Sequence, residues 1–116
     1  MSEGTETRGN GDSVAESTVQ IPNRLGLHAR PSAEFVKLSS RFASSITVEK
    51  DGLEVNGKSI MGVMMLAAEF GSRLRIRAEG VDAPIAVREL SRLVESGFGE
   101  DQIDYGAASD GPGALS

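Results

Sequence analysis

The chain has 116 residues, which suits one domain, and its core must be mostly aliphatic because it contains no tryptophan, one tyrosine and four phenylalanines. The lack of cysteine excludes disulfides, thiolate metal sites and a cysteine nucleophile, and no apolar run approaches the ~18 residues that span a membrane. The net charge of −5 lies in the two ends, and the small basic excess between them is too weak to argue for a nucleic-acid partner.

Composition divides the chain into three parts. Residues 1–16 are rich in glycine, serine, threonine and glutamate, and residues 101–116 are small and acidic, so neither segment can bury enough apolar surface to offset chain entropy. We therefore expect a flexible N-terminal extension over 1–16, one folded domain over 17–100 and a flexible acidic tail over 101–116. The N-terminus lacks the basic and apolar regions of a secretory signal, which favours the cytoplasm.

The hydrophobic pattern inside the domain switches between the periods of strands and helices. In chain order it predicts a strand at 18–21, a helix over 30–42, strands at 45–50 and 53–55, a helix over 60–70, a strand over 73–80 and a helix from 83 to 96. Asp82 is a candidate N-cap of the last helix, Pro84 lies in its first turn and Gly97 suits its C-terminal end.

This order, βαββαβα, predicts an α+β fold. Four alternating strands give a sheet with one buried and one solvent-facing side, and the helices cover the buried side. We expect an open-faced two-layer β-sandwich in which a four-stranded antiparallel sheet carries three helices on one face.

The stretch "RLGLHARPS" at 24–32 is the candidate functional site. It contains the one histidine of the chain, His28, directly before a predicted helix. The first N–H groups of a helix have no intrahelical partner and the helix dipole is positive there, so they attract anions. Arg30 adds a guanidinium whose forked donors match phosphate oxygens, and Pro31 suits the first helical turn. The residues favour reversible phosphoryl transfer to a ring nitrogen of His28, against the alternative of a surface histidine without chemistry.

Other chemistry fits these residues less well. A metal site needs three or four ligands, and the chain has no second histidine and no cysteine. A catalytic triad needs a buried acid that orients the ring, and the spacing offers no candidate. The "NGKS" at 56–59 lacks the first glycine of a P-loop.

Two long motifs carry a family resemblance. "LGLHARPSAEF", followed about thirty residues later by "GKSIMGVMMLAAEFG", resembles HPr, the histidine-containing phosphocarrier of the bacterial phosphotransferase system, over roughly residues 17–100. The resemblance implies an open-faced β-sandwich and does not separate the sugar branch from the nitrogen-regulatory branch. Ser32 departs from the alanine common after the proline, and the resemblance assigns no role to the terminal segments.

The resemblance also implies residue roles. His28 matches the phosphorylated histidine, which accepts a phosphoryl group from enzyme I on Nδ1 and gives it to enzyme IIA domains, and Arg30 matches the arginine that steadies the phosphate. Ser59 matches the serine that HPr kinase/phosphorylase modifies in many relatives. Partner docking is predicted at Leu27, Pro31, Ile60, Met61 and Met64. The chain is expected to act as a monomeric carrier, a substrate of two enzymes more than an enzyme, with no metal or organic cofactor.

Three of these features have simpler explanations. Ser59 precedes a helix and would serve as its N-cap without any kinase. The core could be filled by Met61, Met64 and Met65, although their spacing on one helix does not allow all three to be buried. Arg73, Arg75 and Arg77 lie on one side of a predicted strand without the aromatic residues that bind RNA, which favours a solvated face.

Three function classes therefore remain. The first is the phosphocarrier that acts through His28. The second is a regulatory binding module in which phospho-Ser59 presents the apolar patch to a transcriptional regulator and transfer through His28 is secondary. Intact His28 and Arg30 favour the carrier, and a structural domain with neither modification is a further alternative.

Overall fold

The computed structural model describes residues 12–100, which form the predicted βαββαβα order. The elements are β1 (Ser13–Gln20), α1 (Ala29–Ser39), β2 (Ser45–Lys50), β3 (Leu53–Asn56), α2 (Ile60–Met65), β4 (Arg73–Gly80) and α3 (Ala83–Glu95), followed by a 3₁₀ turn at Gly97–Gly99. The predicted fold class is confirmed. The expected tail over 101–116 and residues 1–11 of the expected extension lie outside the described residues. No helix within 12–100 is long and apolar enough to cross a membrane.

The four strands form one antiparallel sheet in the order β1-β4-β2-β3. Strand β4 is central and has the predicted bounds, and its alternate residues Leu74, Ile76 and Ala78 are fully buried beneath the helices. Burial of each large aliphatic side chain contributes about 1.5–3 kcal/mol to folding. The one-sided sheet therefore fixes which face the helices cover.

Strand β1 begins at Ser13, so residues 13–16 belong to the sheet and not to the flexible extension that composition predicted. The expected boundary at residue 16 was wrong because the ladder continues past it. Ser13 pairs with Gly80 and Ala15 with Ala78 along the whole of β4. Residues 13–16 bury little apolar surface, since only Ala15 packs against the core, and their order comes from pairing with the partner strand.

Helices α1 and α2 are shorter than the apolar pattern predicted. After α1 ends at Ser39, Arg41 and Phe42 donate to carbonyls three residues back, which tightens the chain into a turn. Helix α2 ends at Met65, and Ala67 adopts a left-handed φ of 50°. The helical pattern nevertheless continues because Leu66 and Ala68 are buried after the helix has ended.

Asp82 occupies the N-cap position of α3, but its carboxylate caps a neighbouring loop and not its own helix. It accepts hydrogen bonds from the backbone N–H of Ala43 at 2.8 Å, from that of Ser44 at 2.9 Å and from the Ser44 hydroxyl. The Ser44 hydroxyl, followed by the Ala43 amide, holds the pKa of Asp82 below its ordinary value of 3.8. Gly80 permits this approach, since a Cβ there would lie 2.7 Å from the Cα of Ser44.

We predict that Asp82→Asn lowers the free energy of unfolding at pH 7 by about 1.5–3 kcal/mol, because bonds to a charged acceptor are lost. The folded-state pKa is depressed, so this stabilisation is present above pH 3.8 and is lost as the pH falls through the lower folded-state value. Urea unfolding of both proteins from pH 7 downwards measures it.

The matched control is Asp51→Asn, which removes the same charge from an exposed hairpin residue. It should change stability by less than about 0.5 kcal/mol. A difference between wild type and Asp82→Asn that stays constant into acid would contradict the assignment to the carboxylate.

Candidate functional site

His28 is the N-cap residue of α1, as its place in the sequence predicted. Its backbone is extended, with φ −78° and ψ −169°, and its carbonyl accepts the first helical bond from the N–H of Ser32 at 3.0 Å. The ring makes no cap hydrogen bond to its own helix and is 38% exposed. The imidazole therefore stands at the helix N-terminus with access to solvent.

The loop before His28 is tied to the segment that follows α2. The N–H of Leu27 donates to the carbonyl of Ala68 at 2.9 Å. Gly26 has a left-handed φ of +68°, and a Cβ on it would lie 2.4 Å from that same carbonyl oxygen. A glycine is required here both by backbone conformation and by space.

Two residues predicted to dock partners are in the core. Leu27 is 4% exposed and Pro31 is fully buried. Because Leu27 packs among the core residues and Pro31 lies on the inward side of α1, neither presents a surface. Their assignment to the docking surface was wrong, and their role is to hold the histidine loop and the first helical turn in place.

Glu100 is the site residue that sequence reasoning missed. Its Oε2 lies 2.9 Å from Nε2 of His28 and 3.3 Å from Nη1 of Arg30, and its Oε1 accepts a hydrogen bond from Nδ2 of Asn23 at 3.1 Å. The carboxylate is only 13% exposed. The sequence near His28 offered no acid to orient its ring, and the carboxylate that contacts the ring comes from 72 residues farther along the chain.

A left-handed turn brings Glu100 back to the histidine. Gly97, Phe98 and Gly99 have φ values of +68°, +58° and +75°. Phe98 is not a glycine, so its conformation costs roughly 1–2 kcal/mol. Its side chain is buried in the core, and this burial offsets the strain. The visible signal was "GFGE" directly after the predicted helix end.

Ser59 is the N-cap residue of α2 and is half-buried. Its Oγ accepts a hydrogen bond from the N–H of Gly62 at 3.0 Å. The capping role proposed from position is therefore present in the structure, and it leaves a modification role open.

Comparison with known proteins decides the family. Residues 15–96 match the family model described as the PTS HPr component phosphorylation site. The chain belongs to the HPr family. HPr of Xylella fastidiosa (strain Temecula1) is 48% identical over 88 residues, or 76% of this chain and 99% of that protein. The crystal structure of HPr-C-His from Thermoanaerobacter tengcongensis is 50% identical with a TM-score of 0.72, covering 74% of this chain and 97% of that one. The HPr-like protein Crh of Halalkalibacterium halodurans is 44% identical over 82 residues, or 71% of this chain and 98% of Crh.

The predicted docking patch of this HPr chain is exposed on α2, apart from the two buried residues named above. Ile60, Met61 and Met64 are all exposed, with Met61 at 73%, and Met65 joins them. Only Val63 of this helix is buried. The expectation that at least one methionine is exposed is confirmed, and we use "methionine patch" for Ile60, Met61, Met64 and Met65.

Arg75 and Arg77 of β4 lie on the open face of the sheet in ion pairs, and Arg73 is exposed on the same face. Arg75 contacts carboxylates from three other strands, those of Glu16, Glu49 and Glu54, at 3.2–3.7 Å. Such exposed pairs contribute little stability individually. Because these acids surround the central arginine, this face is a solvated, charge-balanced surface, in agreement with the simpler explanation.

We predict that Ser59→Ala lowers the free energy of unfolding by about 1 kcal/mol, because the Gly62 N–H loses its acceptor. Ser59→Asp should keep the wild-type stability, since aspartate is an equally good N-cap and its charge suits the helix dipole. Urea titrations of the three proteins measure both changes. Equal losses in the two variants would show that the hydroxyl itself, and not a cap acceptor, is needed.

Proposed function

We propose that this HPr-family chain is a phosphocarrier that receives a phosphoryl group from phospho-enzyme I on Nδ1 of His28 and passes it to enzyme IIA domains. The observation that carries the proposal is the partly exposed imidazole at the N-terminus of α1 with Arg30 in the first turn. Membership of the HPr family supports it. The setting is the cytoplasm, and the carrier is a monomer.

The chemistry follows from the groups at the helix start. The backbone N–H groups that open α1 have no intrahelical partner, and the positive end of the helix dipole attracts phosphoryl oxygens. Arg30 is 57% exposed, so its guanidinium can turn toward an arriving phosphate. The nucleophilic ring of His28 and the anion site formed by Arg30 and the first N–H groups of α1 thus lie side by side. The carrier holds the phosphoryl group there until a partner removes it.

The methionine patch is the proposed docking surface for these partners. Methionine side chains are flexible and polarizable, so one surface can fit several proteins. Ser59 caps the same helix, and a phosphate on it would add about −1.5 to −2 charges beside the patch. Phosphorylation by an HPr kinase/phosphorylase would therefore regulate docking.

A regulatory binding module is the second candidate, favoured by the similarity to Crh as well as to HPr. In that role phospho-Ser59 would present the methionine patch to a transcriptional regulator. The presence of both His28 and Arg30 favours the carrier, because a purely regulatory protein has no need of either residue.

Incubation with enzyme I and phosphoenolpyruvate tests the carrier. We expect one equivalent of acid-labile label, which is lost in His28→Ala, because phosphohistidine is hydrolysed in acid and phosphoserine is not. A parallel reaction with ATP and an HPr kinase reports acid-stable label on Ser59. Acid-labile label that survives in His28→Ala, or its absence from the wild type, would refute the carrier.

We further predict that Ser59→Asp raises the KM of enzyme I for this chain several-fold while kcat changes less. The added charge repels an acidic partner surface, so the effect should shrink as added salt screens it. Ser59→Ala is the matched control and should keep the wild-type KM. A wild-type rate in Ser59→Asp at low salt would contradict regulation through docking.

A further inference from the structure

We propose that Glu100 is a positioning residue for His28: its carboxylate accepts a hydrogen bond from Nε2–H, which keeps the proton on Nε2 and leaves the lone pair of Nδ1 as the nucleophile. This inference rests on the proposed phosphoryl transfer and specifies what prepares the ring for it. Neither the family match nor the sequence motifs assign a role to this side chain.

The contact geometry selects the tautomer. Both oxygens of Glu100 lie within hydrogen-bond distance of Nε2, at 2.9 and 3.1 Å. An ionised carboxylate can only accept, so the nitrogen that faces it must carry the hydrogen. In the neutral ring the other nitrogen, Nδ1, then holds the free lone pair. That lone pair is not used in a cap bond to α1.

The carboxylate is held in place from the core side. Asn23 is fully buried, and its Nδ2 donates both to the carbonyl of Gly26 at 3.0 Å and to Oε1 of Glu100 at 3.1 Å. Two acceptors fix the orientation of this amide, because the oxygen of a flipped amide would face them both. The same residue therefore anchors the histidine loop and the acid that orients the ring.

Charge balance at the site permits an anionic substrate. Arg30 pairs with Oε2 of Glu100 at 3.3 Å, so the carboxylate does not present an uncompensated negative charge. When Nδ1 attacks, an N–P bond forms and the bond from phosphorus to the donor group breaks, with its electron pair leaving on the donor. The Nε2 proton stays in place, and Glu100 offsets the positive charge that the phosphorylated ring acquires.

The chain has one histidine, so ¹⁵N-histidine labelling of the full-length protein reports on this ring alone. We expect the neutral ring of the wild type to carry its proton on Nε2, and Glu100→Gln and Glu100→Ala to increase the Nδ1–H form. Glu95→Gln, at the exposed end of α3, is the matched control and should leave the ring spectrum unchanged.

Kinetics with enzyme I separates positioning from docking. Glu100→Gln should lower kcat for His28 phosphorylation about tenfold and leave KM unchanged. A loss of this size is typical when a residue that orients a functional histidine is removed. Met61→Ala should instead raise KM, because Met61 belongs to the methionine patch. The amide spectra of the Glu100 variants should match the wild type outside residues 23–30, which shows that the fold is kept. If Glu100→Ala unfolds, the test rests on the isosteric variant Glu100→Gln.

An unchanged tautomer ratio in both Glu100 variants would overturn the proposal. Faster phosphorylation of His28 in the Glu100 variants would also overturn it, because the carboxylate would then act only by keeping the Arg30 guanidinium away from the phosphate. If the wild type accepts no acid-labile phosphate, the carrier function fails, and the ring spectra still decide whether Glu100 orients His28.

Discussion

The main-chain hydrogen bond from Leu27 to Ala68 joins the histidine loop to the segment that follows α2. Gly26 has no Cβ and so lets the two segments approach each other. The side chains of Leu66 and Ala68 are buried in the core. The early end of α2 belongs to the same arrangement, because Ala67 adopts a left-handed φ directly before the carbonyl of Ala68 that accepts this bond. The proposed site of phosphoryl transfer and the proposed docking surface are thus held in place by the same hydrogen bond.

Sequence periodicity predicted those elements whose burial is repeated along a single segment. Strand β4 was bounded correctly because Leu74, Ile76 and Ala78 alternate over the whole strand. The start of β1 was not predicted, because residues 13–16 bury little apolar surface of their own and take their order from pairing with β4. The helical period also predicted α2 too long, because Leu66 and Ala68 continue the pattern of buried residues after the helix has ended.

The site was predictable where its residues are neighbours in sequence. His28 and Arg30 share one helix start, so motif and physics agree on them. Glu100 lies 72 residues from the histidine, and only the left-handed turn after α3 makes them neighbours. Leu27 and Pro31 were misassigned because adjacency to a reactive residue says nothing about burial.

The two helix starts differ in whether a side chain caps their N–H groups. Ser59 Oγ already accepts the N–H of Gly62, so a phosphate there would replace one acceptor by several at the positive end of a short helix. The fold can therefore tolerate the modification while the patch changes charge. At α1 the corresponding N–H groups receive no side-chain cap from His28. In the proposed transfer, this open helix start would bind the arriving phosphoryl group. Glu100, which follows the left-handed turn at Phe98, contacts Nε2 of His28 and leaves the Nδ1 side of the ring free for that group.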